Sequence, residues 1–401
     1  MSVLKKEIPA HRTISLFFVW LLMAISGFVM IEPSPFEFLG AVLVIIFFAF
    51  GMKIPKGIGI AVIFWGLFLV FNIVAAIQSN DPTIAIKPIG IRFFLVSIWL
   101  FLTAFIADNP RRFLPIIWNG YAVGAFFVVL IGALAYFEKI PDADQFLLFG
   151  RVKSTFKDPN VYGPYLIPVF MIYLSRLESG KDSHIIINTI MLSTIAVGLL
   201  LGFSRGSWLN LGLAMIAYLG IRLVTLKESK ELSRLLIMGA LALVVGSFLI
   251  GWLISTSAVH GLFEQRAHVV QGYDVTERFV TQLKAINAIL DHPLGIGPGQ
   301  ADLQFGIVPH NVYLFIFSEC GWLSGTAYIA FVILTLWKGF FFCLRKTEIQ
   351  LSALVIFSCI LSTQLQSFFI DSTHWRHLYI LYGMMWGVML GYDKYRSGIL
   401  Q

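Results

Sequence analysis

Five short polar motifs interrupt a chain that is otherwise mostly apolar: Arg151 in GRVKSTFKDPN, Arg205 in FSRGSW, Arg278 in TERFV, His310 in PHNVY and Arg376 in DSTHWRH. Arginine keeps its charge at neutral pH and presents a planar fork of donors that matches two phosphate oxygens at once. Imidazole gains and loses a proton near neutrality, which suits it to accept one from a hydroxyl group. Four guanidinium groups and one imidazole therefore point to a phosphate-bearing substrate held beside a general base. Each residue also has a plainer role open to it. Arg205 can snorkel to lipid headgroups from the membrane boundary. Asn160 can cap the helix that Asp158-Pro159-Asn160 announces, and Arg278 can sit on a solvated helix face. His310, followed by Asn311, can be a hydrogen-bonded structural residue. His374 and His377, with Asp371 near enough to orient them, form a competing pair of bases.

What must position these groups is a membrane. Of 401 residues, 58% are hydrophobic and 13% charged, whereas a soluble domain carries roughly 25% charged residues. Apolar stretches of membrane-spanning size lie at 14–31, 36–52, 58–78, 89–107, 113–137, 161–177, 184–203, 206–226, 233–257, 320–337, 349–369 and 375–393. They are continuous rather than alternating, so a transmembrane β-barrel is excluded. The expectation is an all-α polytopic membrane protein of about 12 transmembrane helices, one integral membrane domain over 1–401. An even number of spans places both termini on the same side. That side collects eighteen of the 29 Lys and Arg residues, including the pairs Lys5-Lys6, Arg111-Arg112 and Arg345-Lys346, and the positive-inside rule makes it cytoplasmic. The net charge of +7 thus reflects topology, and no nucleic-acid partner is expected. The opening MSVLKKEIPAHR reads as a retained signal-anchor flank, and Cys320, Cys343 and Cys359 lack disulfide or zinc spacing.

On this topology all five motifs share the outer face. The sixth, eighth, tenth and twelfth stretches begin beside them, near Asn160, Gly206, residues 310–319 and Trp375. Helix N-termini carry partial positive charge and free N–H groups, and so favour anions. Between the ninth and tenth stretches, residues 258–309 form an outer loop. Asp274 and Glu277 have capping-box spacing, and Phe279, Leu283, Ile286 and Leu290 follow at helical spacing. These predict an amphipathic helix on the outer surface. Pro293 ends it, and Gly295, Gly297 and Gly299 give a mobile or sharply folded loop that caps the site. No strand precedes these glycines, so they are not a nucleotide-binding fingerprint, and the eight histidines form no metal motif. No metal or cofactor is expected.

Taken in order, STFKDPNVYGPYL, LLLGFSRGSWL, HPLGIGPGQ, PHNVYLFIFSECGWLSG and HWRHLYILYGMMWG resemble the bacterial O-antigen ligase and O-antigen polymerase family over about residues 148–390. The resemblance implies a glycosyltransferase of the bacterial inner membrane, O-antigen ligase-like, with both termini cytoplasmic and the 258–309 loop and active site periplasmic. It implies a donor saccharide on undecaprenyl diphosphate. The acceptor is the lipid A core for a ligase, or a second lipid-linked glycan for a polymerase. By motif, Arg205 and Arg278 match arginines that hold the diphosphate, and His310 matches the histidine that activates the acceptor hydroxyl. Arg376 matches an arginine near the last span. Arg151 joins the phosphate-binding set by position, with Asn160, Asn311, His374 and His377 as supporting candidates. The outer loop, about 50 residues long, offers little material for recognising a large acceptor. No nucleophilic carboxylate pair is evident, which predicts direct displacement with inversion. The alternative from another class is a lipid-linked saccharide flippase, but a transporter gathers its polar residues near the bilayer midplane, and here they gather at one face.

Overall fold

The structure is a computed structural model that describes residues 10–180, 183–226, 232–233, 272–306 and 308–396. Its helices are α1 (Ala10–Ala24), α2 (Pro35–Ala49), α3 (Gly59–Gln78), α4 (Ile86–Asp108), α5 (Pro110–Tyr136), α6 (Pro159–Ser179), α7 (Ile185–Leu201) and α8 (Arg205–Thr225). There follow α9 (Gly272–Asp291), the single-turn α10 (Ala301–Phe305), α11 (Val312–Cys343), α12 (Gln350–Gln366) and α13 (Arg376–Arg396). Between α5 and α6 a small antiparallel ribbon pairs β1 (Leu147–Leu148) with β2 (Arg151–Val152). Each predicted stretch coincides with a helix except 233–257, which beyond residue 233 lies outside the described residues. Five helices, α3, α4, α5, α8 and α11, are long and apolar enough to cross a membrane. The apolar helices α2, α7 and α12 are shorter, and polar residues dilute α6 and α13 although each has 21 residues. The fold is that of an all-α membrane protein.

Packing follows from small residues and aromatic rings. α13 lies against α4 through Gly383, Gly387 and Gly391, one per turn. A Cβ at Gly387 would come within 2.6 Å of the Ile106 side chain, so this approach requires glycine. At the centre, Trp65 of α3 stacks near Phe331 of α11 and Tyr379 of α13, at 4.4 and 5.5 Å between ring centroids. Trp99 of α4 meets Trp386 of α13 edge-on. Four helices are thereby locked around one buried aromatic cluster.

The connections separate into two ends. At one, Arg111 pairs with Glu348, and Arg222 with the buried Glu178. At the other, Lys87, Lys157 and Arg376 pair with Glu32, and Gln300 bonds the carbonyl of Asp81. The candidate motifs belong to this second end.

Candidate active site

Three helix N-termini meet at the end of α12. Asp158 caps α6, its carboxylate accepting from the amide of Asn160, and Ser204 caps α8 by accepting from the amide of Ser207. Asn311 caps α11, accepting from the amides of Tyr313 and Leu314 at 3.0 and 3.1 Å. The caps are joined. Asn160 Oδ1 accepts from the Ser204 hydroxyl at 2.8 Å, which ties α6 to α8. Asn210 of α8 donates to Gln366 Oε1 at 2.6 Å, and a Cβ at Gly206 would sit 2.9 Å from Gln366 Nε2, which ties α8 to α12. The amide of Val312 donates to the carbonyl of Ser367 at 2.9 Å, and the Tyr313 hydroxyl to the carbonyl of Gln364, also at 2.9 Å, which ties α11 to α12. Carbonyls at the α12 terminus, which would repel an anion, are thus engaged by donors. Arg205 is the first residue of α8, with an exposed side chain, and half-buried His310 immediately precedes the Asn311 cap. Arg205 and His310 thus lie one and two residues from backbone positions, Gly206 and Val312, that contact the adjacent residues Gln366 and Ser367.

Arg151 is a buried brace. Its Nε donates to the carbonyl of Gly202 at 3.2 Å and its Nη2 to Asn160 Oδ1 at 3.1 Å, joining β2 to the α7–α8 turn and the start of α6. Arg376 is held by acids: its Nε lies 2.8 Å from Glu37 Oε1, its Nη2 also bonds Glu37, and Glu32 stands 3.7 Å away. Glu32 is shared with Lys157 and Lys87 at 3.0 and 3.3 Å. Burial pushes the Glu32 carboxyl up, but the hydrogen bonds and charges of those two lysines outweigh it and hold the group below its ordinary 4.5. Glu32 and Glu37 carry no signal in the sequence, because they lie far from the motifs along the chain.

The two histidines after α12 differ. His374 is half-buried, its Nδ1 3.0 Å from the Thr373 hydroxyl and 3.8 Å from Asp371 Oδ2. Burial raises Asp371, but the hydrogen bond and charge of His374, with two bonds from Thr373, hold it below its ordinary 3.8. His377 is buried between Tyr165 and Trp375, and its Nε2 has no hydrogen-bond partner among the described residues. It is enclosed where an incoming hydroxyl would need access. Among the described residues no three His, Cys, Asp or Glu side chains gather in a metal-holding group.

The glycine loop is sharply folded and fastened down. Residues 293–300 enter a break in α11, where Gly321 has φ 78° and ψ 178°. The carbonyls of Ser318 and Glu319 accept from the amides of Ile296 and Gly297, both at 2.9 Å, and the amide of Trp322 donates to Pro293 at 2.9 Å. The loop thus satisfies the groups that the broken helix cannot satisfy itself. A Cβ on Gly295 would meet the Glu319 carbonyl at 2.4 Å, and one on Gly321 would meet the Leu294 backbone at 2.5 Å, so both must be glycine. The tenth stretch, expected from residue 320, accordingly begins at Val312, with a segment of helix ahead of the break at Gly321.

Beneath the break lies a charged pair that sequence reasoning left unused. Arg92 of α4 and Glu319 of α11 are fully buried with 3.0 Å between Nη2 and Oε2. Arg92 also donates to Asn72 of α3 and to Cys320 Sγ. Glu319 Oε1 accepts from the amides of Gly299 and Ala301 at 2.8 and 3.4 Å. One signal was legible: an arginine and a glutamate, each inside an apolar run, are costly unless paired.

Helix α9 rests on α11, held by the Trp322 indole bonded to the carbonyl of Ile289 at 2.8 Å. Its small residues Thr281, Ala285 and Ala288 face inward, while Phe279, Leu283, Ile286 and Leu290 are exposed. The apolar stripe expected from sequence therefore points away from the protein, as on a helix lying in a membrane interface. Arg278 belongs to α9, but its side chain lies outside the described residues.

A protein-family model described as O-antigen ligase matches residues 190–329. This segment holds most of α7, then α8 to α10 and the first part of α11, with Arg205, Arg278, His310 and Asn311; Arg151, Asn160, His374, Arg376 and His377 fall outside it. No curated protein matches the chain.

Proposed function

We propose, on the premise that the chain belongs to the O-antigen ligase/polymerase family through residues 190–329, that it is a glycosyltransferase facing the periplasm from the bacterial inner membrane. Its donor is a saccharide on undecaprenyl diphosphate. Its acceptor is a sugar hydroxyl of the lipid A core, or of a second lipid-linked glycan if it polymerises. The apolar stretches cross the membrane about twelve times, both termini are cytoplasmic, and residues 258–309 cap the site. The observation that carries this reading is the meeting of the N-termini of α6, α8 and α11 at the end of α12, with Arg205 opening α8 and His310 just ahead of α11.

Chemically, the donor diphosphate lies at Arg205 and Arg278, where guanidinium groups and helix N-termini stabilise charge that grows as it leaves. Arg151 and Arg376 add positive potential while bonded to their protein partners. The acceptor oxygen forms its bond to the anomeric carbon as that carbon's bond to phosphate oxygen breaks. The hydroxyl proton passes to His310, a general-base role that contributes about 10²–10⁴-fold. Configuration inverts, and lipid diphosphate departs. Asn160 and Asn311 hold helix starts in place, and His374, paired with Asp371, is the nearest alternative base.

The purified protein is incubated with undecaprenyl-diphosphate saccharide, with or without lipid A core. Product on the core alone assigns a ligase, and lengthened lipid-linked glycan without the core assigns a polymerase. Labelled lipid-linked saccharide crossing a proteoliposome membrane, with no transfer in either arm, would replace this reading with a transporter.

A further inference from the structure

The fully buried Arg92–Glu319 pair costs the protein desolvation that an apolar pair would avoid. Taking two charges out of water costs several kcal/mol per ion, and well-packed apolar replacements are often neutral or stabilising. Packing alone therefore does not explain why α4 and α11 meet through ions. Glu319 does three things at one place. Its carboxylate pairs with Arg92, its second oxygen accepts the loop amides of Gly299 and Ala301, and its backbone carbonyl accepts the amide of Gly297. Arg92 in turn reaches Asn72 of α3, which donates to Ser324 just past the break. The network spans both sides of Gly321 and holds the loop between them.

We infer that Arg92 and Glu319 are positioning residues for the transfer reaction. They clamp the 293–300 loop into the break of α11, and so fix the outer segment that begins at Asn311. His310 stands immediately before that segment, so the angle at the break sets its position relative to the α12 terminus, where Gly206, next to Arg205, faces Gln366. This inference rests on the transferase reading above. A misplacement of about 1 Å between reacting groups can cost about 10²-fold in rate.

The test uses the full-length protein and two variants, Glu319→Gln and the double variant R92M/E319M. The double variant leaves no uncompensated charge and separates folding from positioning. Expected for the double variant, which leaves the amides of Gly299 and Ala301 without this acceptor, are a folded, inserted protein with a lowered melting temperature, a kcat about 10²-fold lower with donor KM nearly unchanged, and faster hydrogen exchange at Gly297 and Gly299. Glu319→Gln, which strands Arg92, is expected to lose the same kcat and melting temperature as well. Wild-type kcat together with wild-type exchange in the folded double variant would overturn the inference while leaving the functional reading intact. A wild-type protein that transfers nothing would end the functional reading, and the exchange measurement would then decide the clamp by itself.

Discussion

The amide of Val312 donates to the carbonyl of Ser367 across 2.9 Å, so the chain two residues beyond His310 is fastened to the end of α12. Gln366, one residue earlier, receives Asn210 of α8 and lies against Gly206. Residues flanking His310 and Arg205, far apart in sequence, thus contact successive residues of one helix terminus. Cutting either connection should disturb the site without touching its chemistry.

Asn311 is the most economical place to cut. Its side chain takes both amides at the start of α11, and replacing such a cap by alanine typically costs about 1 kcal/mol. Asn311→Ala is expected to lower the melting temperature in detergent modestly and to reduce kcat, while Asn311→Asp or Asn311→Ser retains most of both. An alanine variant indistinguishable from wild type in both measurements would show that the cap does not govern the site.

Arg205 and Arg376 should separate by readout. Arg205→Ala is expected to abolish transfer with membrane insertion intact, and Arg205→Lys to fail substantially, because an ammonium cannot reproduce a bidentate contact. Arg376 is bonded to Glu37, so Arg376→Ala and Glu37→Gln should destabilise by similar amounts, about 1–3 kcal/mol. Melting curves and donor KM on the four variants decide it. Unaltered stability in Arg376→Ala, with a large rise in donor KM, would move Arg376 into direct donor contact.

Glu32 gives a pH dependence with a definite sign. Its carboxyl is held below its ordinary 4.5 in the folded protein, so the unfolded chain takes up its proton first as pH falls. The stability it contributes is complete above that value and is lost as pH drops through the lower folded value. Melting temperature in detergent should therefore fall on acidification below 4.5, and Glu32→Gln should flatten that part of the curve. An equal fall in Glu32→Gln would assign the acid sensitivity to other groups, with Asp371 the next to test.

The break in α11 depends on glycine at two facing positions. Gly321→Ala and Gly295→Ala each place a Cβ inside 2.6 Å of backbone across the junction, and Gly321 also has a φ of 78°. Each is expected to cost about 1–3 kcal/mol and to accelerate hydrogen exchange at Ile296 and Gly297. Unchanged exchange would mean that the loop does not depend on this junction.

Much of the fold was legible because it is written in long apolar runs, which need no knowledge of neighbours to be read. The start of α6 at Asp158-Pro159-Asn160 is similarly local, although the cap is Asp158 and not Asn160. What sequence could not show depends on partners more than two hundred positions away, such as Arg376 closing on Glu37 and Arg92 on Glu319. The glycine loop shows the same limit. Its composition allows a mobile lid as readily as a folded strap, and only the carbonyls exposed at Gly321 decide for the strap. The apolar spacing of α9 is readable in its sequence, while the side its stripe faces follows from Thr281, Ala285 and Ala288 packing inward.

The central claim is that His310 takes the proton of the acceptor hydroxyl at a diphosphate held by Arg205. The most direct measurement is transfer by purified His310→Ala, beside wild type, from undecaprenyl-diphosphate saccharide to acceptor, with membrane insertion and melting checked on the same preparation. The expected result is an inverted product from wild type and a loss of about 10²–10⁴-fold in the folded, inserted variant. Full transfer by His310→Ala would contradict the account and direct attention to His374.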